Sequence, residues 1–189
     1  MPEDRLLCEE ISCEHLIRDR WIDFRRSAYR FPDGRVFEPY YSFTRRDYAV
    51  IVATDEAGSV LCVRQFRQGI RRVTTEFPAG GIEWTDGASR TPEQALAAAK
   101  RELREETGYE SDAWSHLLTI PSNATLSDNY AWLFRAENCR PSAAQKLDEM
   151  ELLEVRKHTP EEIESMIASG SFQQAVHVAA WLLSQRPKG

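Results

Sequence analysis

The chain has 189 residues, with 24 Lys and Arg against 30 Asp and Glu, so its formal charge at pH 7 is -6. A hydrophobic fraction of 42% and a charged fraction of 29% are ordinary for a folded domain and exclude a disordered or fibrous chain. The net negative charge argues against a broad surface for nucleic acid or anionic membrane. It is compatible with a small phosphate substrate, because such ligands are often held through a divalent metal that needs acidic residues.

Other global features favour a cytoplasmic protein. The apolar runs are too short for a membrane span, and residues 1–10 contain no apolar leader segment. The four cysteines have no CxxC spacing and no partners that complete a zinc site, so we predict reduced thiols.

The first predicted elements are extended. Residues 1–15 are polar, and we interpret them as a loose tail or a short edge. Aromatic-rich residues 17–43 contain the turn signal Pro32-Asp33-Gly34 and are predicted to form a β-hairpin. Strands are predicted next, over residues 48–54, 59–66 and 72–77. We therefore divide the chain into residues 1–45, the tail and hairpin, and residues 46–189, the main domain.

A helix is predicted over residues 92–107. Thr91 is a favourable N-cap, Pro92 suits the first helical position, and Gln94 completes a capping box. Gly108 follows as the residue that ends the helix.

The rest of the chain returns to strands and then to helices. Strands are predicted over 113–120, 129–136 and near 151–156, with a polar loop over 137–147. A short helix is predicted to begin near Thr159 and end at Gly170, and a final one, capped by Ser171, to reach about residue 185. The pattern predicts an α+β fold with a mixed, curved sheet packed by helices.

Three glutamates in the middle helix carry the chemical information. Glu102, Glu105 and Glu106 are spaced to share one helix face. A salt-bridged surface helix, with Arg101 paired to Glu105, would explain them without any function. Gly80 and Gly81, however, allow close backbone approach at the loop leading toward this helix. Carboxylates facing such a loop suit a hard cation such as Mg²⁺ and its phosphate ligand.

These residues resemble a known signature. Gly87, Glu93 and the segment Arg101-Glu102-Leu103-x-Glu105-Glu106-x-Gly108 match the pattern of the Nudix hydrolase family. Arg64-Gln65-Phe66-Arg67 and Glu76-Phe77-Pro78-Ala79-Gly80-Gly81 are similar to the ADP-ribose and nucleoside-diphosphate-sugar pyrophosphatase branch. The resemblance implies a Nudix-type α/β/α sandwich preceded by an N-terminal β-hairpin. The loop over residues 83–90 is longer than is usual in that branch.

The resemblance also implies roles for individual residues. Glu102, Glu105 and Glu106 are expected to bind Mg²⁺, or alternatively Mn²⁺, together with the backbone carbonyl of Ala79, while Arg101 orients the carboxylates. Glu151 is our first choice for the general base and Glu149 the second; a solvated acidic loop explains both equally well. Arg67, Glu76, Gly80 and Gly81 are the expected substrate-binding residues.

The implied activity is Mg²⁺-dependent hydrolysis of the diphosphate bond in a nucleoside diphosphate linked to another group. ADP-ribose, cleaved to AMP and ribose 5-phosphate, or a related nucleotide sugar is the first choice. GDP-mannose or another nucleoside diphosphate derivative is an alternative, and a non-catalytic nucleotide sensor is a second. The resemblance further implies a homodimer in which the hairpin is exchanged between subunits, with no nucleic-acid or membrane partner.

Overall fold

The protein is represented by a computed structural model that describes residues 5–83, 90–147 and 151–186. Its contacts divide the chain into two compact units. Unit 1 comprises Met1–Arg46 and Pro121–Tyr130, and unit 2 comprises Asp47–Ile120 and Ala131–Gly189. No helix in the described ranges is long and apolar enough to cross a membrane.

Unit 1 contains a three-stranded antiparallel sheet. Its strands lie side by side in chain order, β1 (Glu9–Arg18), β2 (Asp23–Arg30) and β3 (Val36–Thr44). The β2–β3 connection is a turn in which Gly34 has φ 88°, so the predicted hairpin is present.

The interpretation of residues 1–15 as a loose tail or short edge was wrong for strand β1, which is ten residues long. Every residue of β1 is exposed, so it has no apolar alternation for sequence analysis to detect. Backbone pairing with β2 holds it in place, supported by ion pairs such as Glu14–Arg26 and Glu9–Arg30.

Unit 2 is built on an eight-stranded mixed sheet. The main strand order is β11-β5-β4-β10-β8, where β4 and β10 are parallel; β6 pairs with β5, β7 with β4, and β9 with β10. The strands are β4 (Tyr48–Asp55), β5 (Val60–Arg67), β6 (Arg72–Glu76), β7 (Ala79–Gly81), β8 (Tyr109–Glu110), β9 (Ala113–Pro121), β10 (Tyr130–Pro141) and β11 (Leu153–His158). The helices are α1 (Pro92–Thr107), α2 (Pro160–Ala168) and α3 (Ala175–Ser184).

The two faces of this sheet are covered by different helices. Alternate residues of β4 point to opposite faces, so Ile51 packs with Ala99 and Leu103 of α1, whereas Val50 packs in the cluster that contains Ile163 of α2 and Trp181 of α3. Helix, sheet and helix therefore form three layers, which confirms the predicted α+β sandwich.

The predicted middle helix occurs with its predicted ends. Thr91 and Gln94 form the capping box, and Gly108 ends α1 with φ 75°, donating its N–H to the carbonyl of Arg104 at 2.9 Å. The start of α3 was predicted wrongly: Gln174 precedes its first turn, whereas the Ser171 hydroxyl donates to the carbonyl of Met166.

The predicted end of one strand also needs correction. Strand β10 continues to Pro141, where a loop was expected from residue 137. The two-residue strand β8 pairs with that extension, which explains why polar residues remain extended there.

Candidate active site

The strand and loop that precede α1 bring backbone against its carboxylates. Strand β7 pairs with β4, so that Gly80 lies opposite Ala49. A Cβ atom at Gly80 would lie 2.0 Å from the Cδ of Glu102. Only glycine can therefore occupy this position while Glu102 keeps its present rotamer.

The three helix glutamates differ in burial. Glu106 and Glu102 are buried, with 3% and 8% of their surface exposed, whereas Glu105 is half-buried. Arg101 joins two of them, because its Nη2 lies 2.7 Å from Glu102 Oε1 and its Nη1 lies 2.7 Å from Glu105 Oε2. Nη2 also donates to the carbonyl of Gly81 at 3.2 Å. The Arg101–Glu105 surface pair exists, but the same arginine also reaches into the buried cluster.

Burial makes a negative charge on Glu106 unfavourable. Its Oε2 accepts a hydrogen bond from the backbone N–H of Ala79 at 3.0 Å. Burial nevertheless raises its pKa to about 8, and the charges of Glu102 and Glu151 add to that rise. Burial, with the charges of Glu105 and Glu151, likewise raises the pKa of Glu102 despite the contact with Arg101. A cation bound here would relieve the repulsion and the burial cost together.

The donor set fits a hard divalent cation without a complete protein cage. Within residues 5–83, 90–147 and 151–186, no three His, Cys, Asp or Glu side chains converge closely enough to enclose a metal. Mg²⁺ commonly takes one or two carboxylates and completes its shell with water and substrate phosphates. The buried pair Glu102 and Glu106, beside the backbone of Ala79 and Gly80, meets that requirement.

The remaining acidic candidates are only partly described. Glu151 is exposed and close enough for its charge to raise the pKa values of Glu102 and Glu106. Gly87, Glu149 and most of the lengthened 83–90 loop lie outside the described residues.

Half-buried Arg67 forms a bidentate ion pair with buried Glu76. Arg67 donates to both carboxylate oxygens of Glu76, with Nη2 to Oε2 at 2.5 Å and Nε to Oε1 at 3.0 Å. Thr74 donates a short hydrogen bond to the same carboxylate, and Gln174 donates to Oε1 at 3.2 Å. Burial opposes the charge of fully buried Glu76, but these hydrogen bonds outweigh it and lower its pKa. Glu76 is therefore placed to hold Arg67, which retains about a third of its side-chain exposure.

Three residues of this network were missed by sequence analysis. Thr74 could have been found, because it lies two residues before Glu76 on the same face of β6. Gln174 and His177 gave no signal, since they reach the network from the start of α3 and the residue before it, across about 100 residues of chain.

His177 is a buried base within the same region. Its Nδ1 accepts the backbone N–H of Phe77 at 3.1 Å, and its ring stacks on the ring of Phe77. Burial lowers its pKa to about 4. The neutral ring thus fixes the chain between Glu76 and the loop at Ala79.

This burial predicts a pH-dependent contribution to stability. The unfolded chain protonates His177 near pH 6.5, whereas the folded chain does so only near pH 4. Lowering the pH from 7 to 5 should therefore reduce the free energy of unfolding by about 2 kcal/mol through this residue. Urea unfolding of wild type and His177→Asn at both pH values measures this, because asparagine offers an acceptor but does not titrate. Equal pH slopes in the two proteins would contradict it.

A cavity of about 600 Å³ opens on the outer side of α1. Its walls come from α1, including Arg101 and Glu105, from residues 110–114 and from residues 143–146. Its volume is in the range that accommodates a small molecule.

Comparison with known proteins places this geometry in context. The family model described as NUDIX domain matches residues 44–180. The chain is similar to an ADP-ribose pyrophosphatase of Bacillus subtilis, with 29% identity over 160 residues that cover 84% of this chain and 82% of that protein. It is also similar to an ADP-sugar pyrophosphatase of Mus musculus, with 37% identity over 113 residues, 54% of this chain and 49% of that protein.

A solved structure described as an ADP compounds hydrolase has a similar fold. The TM-score is 0.79 at 20% identity, over 94% of this chain and 92% of that one.

Proposed function

The chain belongs to the NUDIX domain family, and from this premise we propose that it is a Mg²⁺-dependent pyrophosphatase that hydrolyses ADP-ribose or a related nucleotide sugar. The observation that carries the proposal is the buried pair Glu102 and Glu106, packed against the backbone of Gly80 and Ala79. The similarity to an ADP-ribose pyrophosphatase over most of both chains supports this substrate class.

Glu102, Glu105 and Glu106 would share one or more cations rather than enclose a single one, with the carbonyl of Ala79 as a further ligand; Mn²⁺ is an alternative to Mg²⁺. When bound, such a cation neutralises diphosphate oxygens and lowers the pKa of a coordinated water. The raised pKa values of Glu102 and Glu106 support this assignment, because burial and like charge are what a cation would offset.

The chain's own residues supply orientation and phosphate contacts. Arg101 holds Glu102 and Glu105 in fixed positions through its two ion pairs. Arg67, pre-oriented by buried Glu76, presents a guanidinium suited to one phosphate of the substrate. Gly81, where no atom lies within 4 Å of a Cβ position, leaves room for substrate close to the backbone, while Gly80 leaves room for the carboxylate of Glu102.

Glu151 is the general base in this proposal. Its charge raises the pKa values of Glu102 and Glu106, so it belongs to the same acidic cluster, and the proposal requires its carboxylate to come within hydrogen-bond reach of the attacking water. We expect Glu151→Gln to lower kcat about 10²-fold, because the amide cannot accept that proton. Steady-state kinetics with Mg²⁺ measures the loss.

Exposed Glu154 of β11 provides the control, since Glu154→Gln removes a carboxylate that pairs with Arg156. Its kcat should stay within about two-fold of wild type. If Glu151→Gln kept a normal kcat while Glu149→Gln lost much of it, the general base would be assigned to Glu149 instead.

A substrate panel tests the proposed activity. ADP-ribose, NADH, GDP-mannose, diadenosine polyphosphates and nucleoside triphosphates are each incubated with Mg²⁺, and products are separated by chromatography. We expect the highest kcat/KM for ADP-ribose or a related sugar nucleotide, with AMP and ribose 5-phosphate as the ADP-ribose products. Preference for GDP-mannose would support the alternative hydrolase, and nucleotide binding without cleavage would support a sensor.

We extend the proposal to a cytoplasmic homodimer that uses unit 1 as its interface. Unit 1 exposes several large apolar side chains, among them Ile17, Val36 and Phe37 on its strands and Trp21 in the β1–β2 connection. Such residues on one small sheet are typical of a protein interface. All four cysteines are free thiols, which suits a reducing compartment. Light scattering should give twice the 21.7 kDa chain mass; the mass of a single chain would contradict the dimer.

A further inference from the structure

The end of α1 needs partners from outside the helix. Its last turn carries Glu105 and Glu106, and the carbonyls of a final turn have no N–H donors within the helix. Gly108 donates to the carbonyl of Arg104, and the hydroxyl of Thr107 donates to that of Leu103. The carbonyls of Glu105 and Glu106 must be satisfied elsewhere.

Residues 142–146, here called the closing segment, supply those hydrogen bonds. The backbone N–H of Lys146 donates to the carbonyl of Glu105 at 2.9 Å. The side-chain amide of Gln145 donates to the carbonyl of Glu106 at 2.6 Å. The N–H of Ser142 donates to the carbonyl of Gly108 at 2.8 Å. The segment thus closes the helix at the two residues that carry the carboxylates.

The glycine at position 108 makes this approach feasible. A Cβ atom there would lie 2.4 Å from the carbonyl oxygen of Ala143 in the closing segment. Because the backbone rather than a flexible side chain is the neighbour, a larger residue would push the segment away from α1. Gly108 therefore serves both the left-handed end of the helix and the docking of the segment.

We propose that Gln145 is a positioning residue, which holds the last turn of α1 and thereby fixes Glu105 and Glu106 for metal binding. The inference rests on the proposed function in assigning those glutamates to the metal. Helix ends fray, and a displacement of about 1 Å at a catalytic group can cost about 10²-fold in rate. Gln145 is the one side chain among the described residues of the closing segment that caps a carboxylate-bearing residue.

The test compares Gln145→Met with Gln145→Lys. Methionine has a similar length and no donor, whereas lysine keeps a donor that can reach a helix carbonyl. We expect Gln145→Met to lower kcat and Mn²⁺ affinity each by roughly 10-fold, with the KM for ADP-ribose changed less than about two-fold. Gln145→Lys should restore both. Calorimetric titration with Mn²⁺ in the absence of substrate reports the affinity.

Hydrogen exchange gives a readout that needs neither substrate nor metal. Amides in residues 105–108 should exchange faster in Gln145→Met than in wild type, while those of β4 stay protected. Unchanged exchange and Mn²⁺ affinity in Gln145→Met would overturn the inference. If wild type itself cleaves nothing on the panel, the proposed function fails separately, and faster exchange would still establish the anchoring.

Discussion

Glu106→Gln is expected to lower kcat by about 10³-fold or more without loss of the fold. Glutamine has the shape of glutamate and can still accept the N–H of Ala79, which Glu106 accepts at 3.0 Å. It lacks the negative charge that would hold the cation. The variant therefore separates charge from packing at a side chain with only 3% of its surface exposed.

The same substitution should stabilise the metal-free protein at neutral pH. Burial raises the pKa of Glu106 to about 8, whereas the unfolded chain ionises it near pH 4.5. The folded protein thus loses stability as pH rises from about 4.5 to 8, by on the order of 4 kcal/mol from this group. Glu106→Gln should remove that loss, so its free energy of unfolding in EDTA should exceed that of wild type more at pH 8 than at pH 5.

Kinetics with Mg²⁺ and urea unfolding in EDTA together test this expectation. Exposed Glu161 in the first turn of α2 provides the control, because Glu161→Gln removes a carboxylate of the same type far along the chain. That variant should keep normal kcat, and because hydrogen bonds at the start of α2 lower the pKa of Glu161, its stability should keep an unchanged dependence on pH between pH 5 and pH 8. If Glu106→Gln hydrolysed the substrate as fast as wild type, the proposed metal site would be contradicted.

The helix could be predicted from local residues alone. Its cap, its length and its terminal glycine depend on neighbours within four positions, and all are present in α1. The family resemblance drawn from residues 101–108 is confirmed by the NUDIX match. The geometry that separates buried Glu102 and Glu106 from half-buried Glu105 could not be predicted, because it depends on how β7 packs against α1.

Long-range hydrogen bonds account for the features that sequence analysis missed. Gln145 lies 39 residues from the carbonyl that it caps, and Gln174 lies 98 residues from Glu76. Neither side chain belongs to a periodic pattern, and both act through one amide group. Sequence analysis placed Gln145 in a polar loop, where its residue type alone indicates nothing beyond solvent exposure.

Gly80→Ala should strongly lower kcat by displacing the side chain of Glu102, although no carboxylate is removed. The new Cβ would lie 2.0 Å from Cδ and 2.3 Å from each carboxylate oxygen of Glu102. The flexible end of Glu102 can rotate away, so the backbone and the fold should survive. The carboxylate would then leave the position that Arg101 holds at 2.7 Å. We expect a loss in kcat of about 10³-fold, with a melting temperature close to that of wild type.

Three further variants decide whether this effect passes through Glu102. Gly69→Ala introduces the same methyl group where no atom lies within 4 Å, so its kcat should stay near that of wild type. Glu102→Gln alone should lose about as much activity as Gly80→Ala, because both remove the charge from the site. If Gly80→Ala acts only by displacing Glu102, then adding it to Glu102→Gln should produce little further loss. Multiplicative losses in the double variant would instead mean that Gly80 serves the substrate directly, through the backbone space that alanine closes.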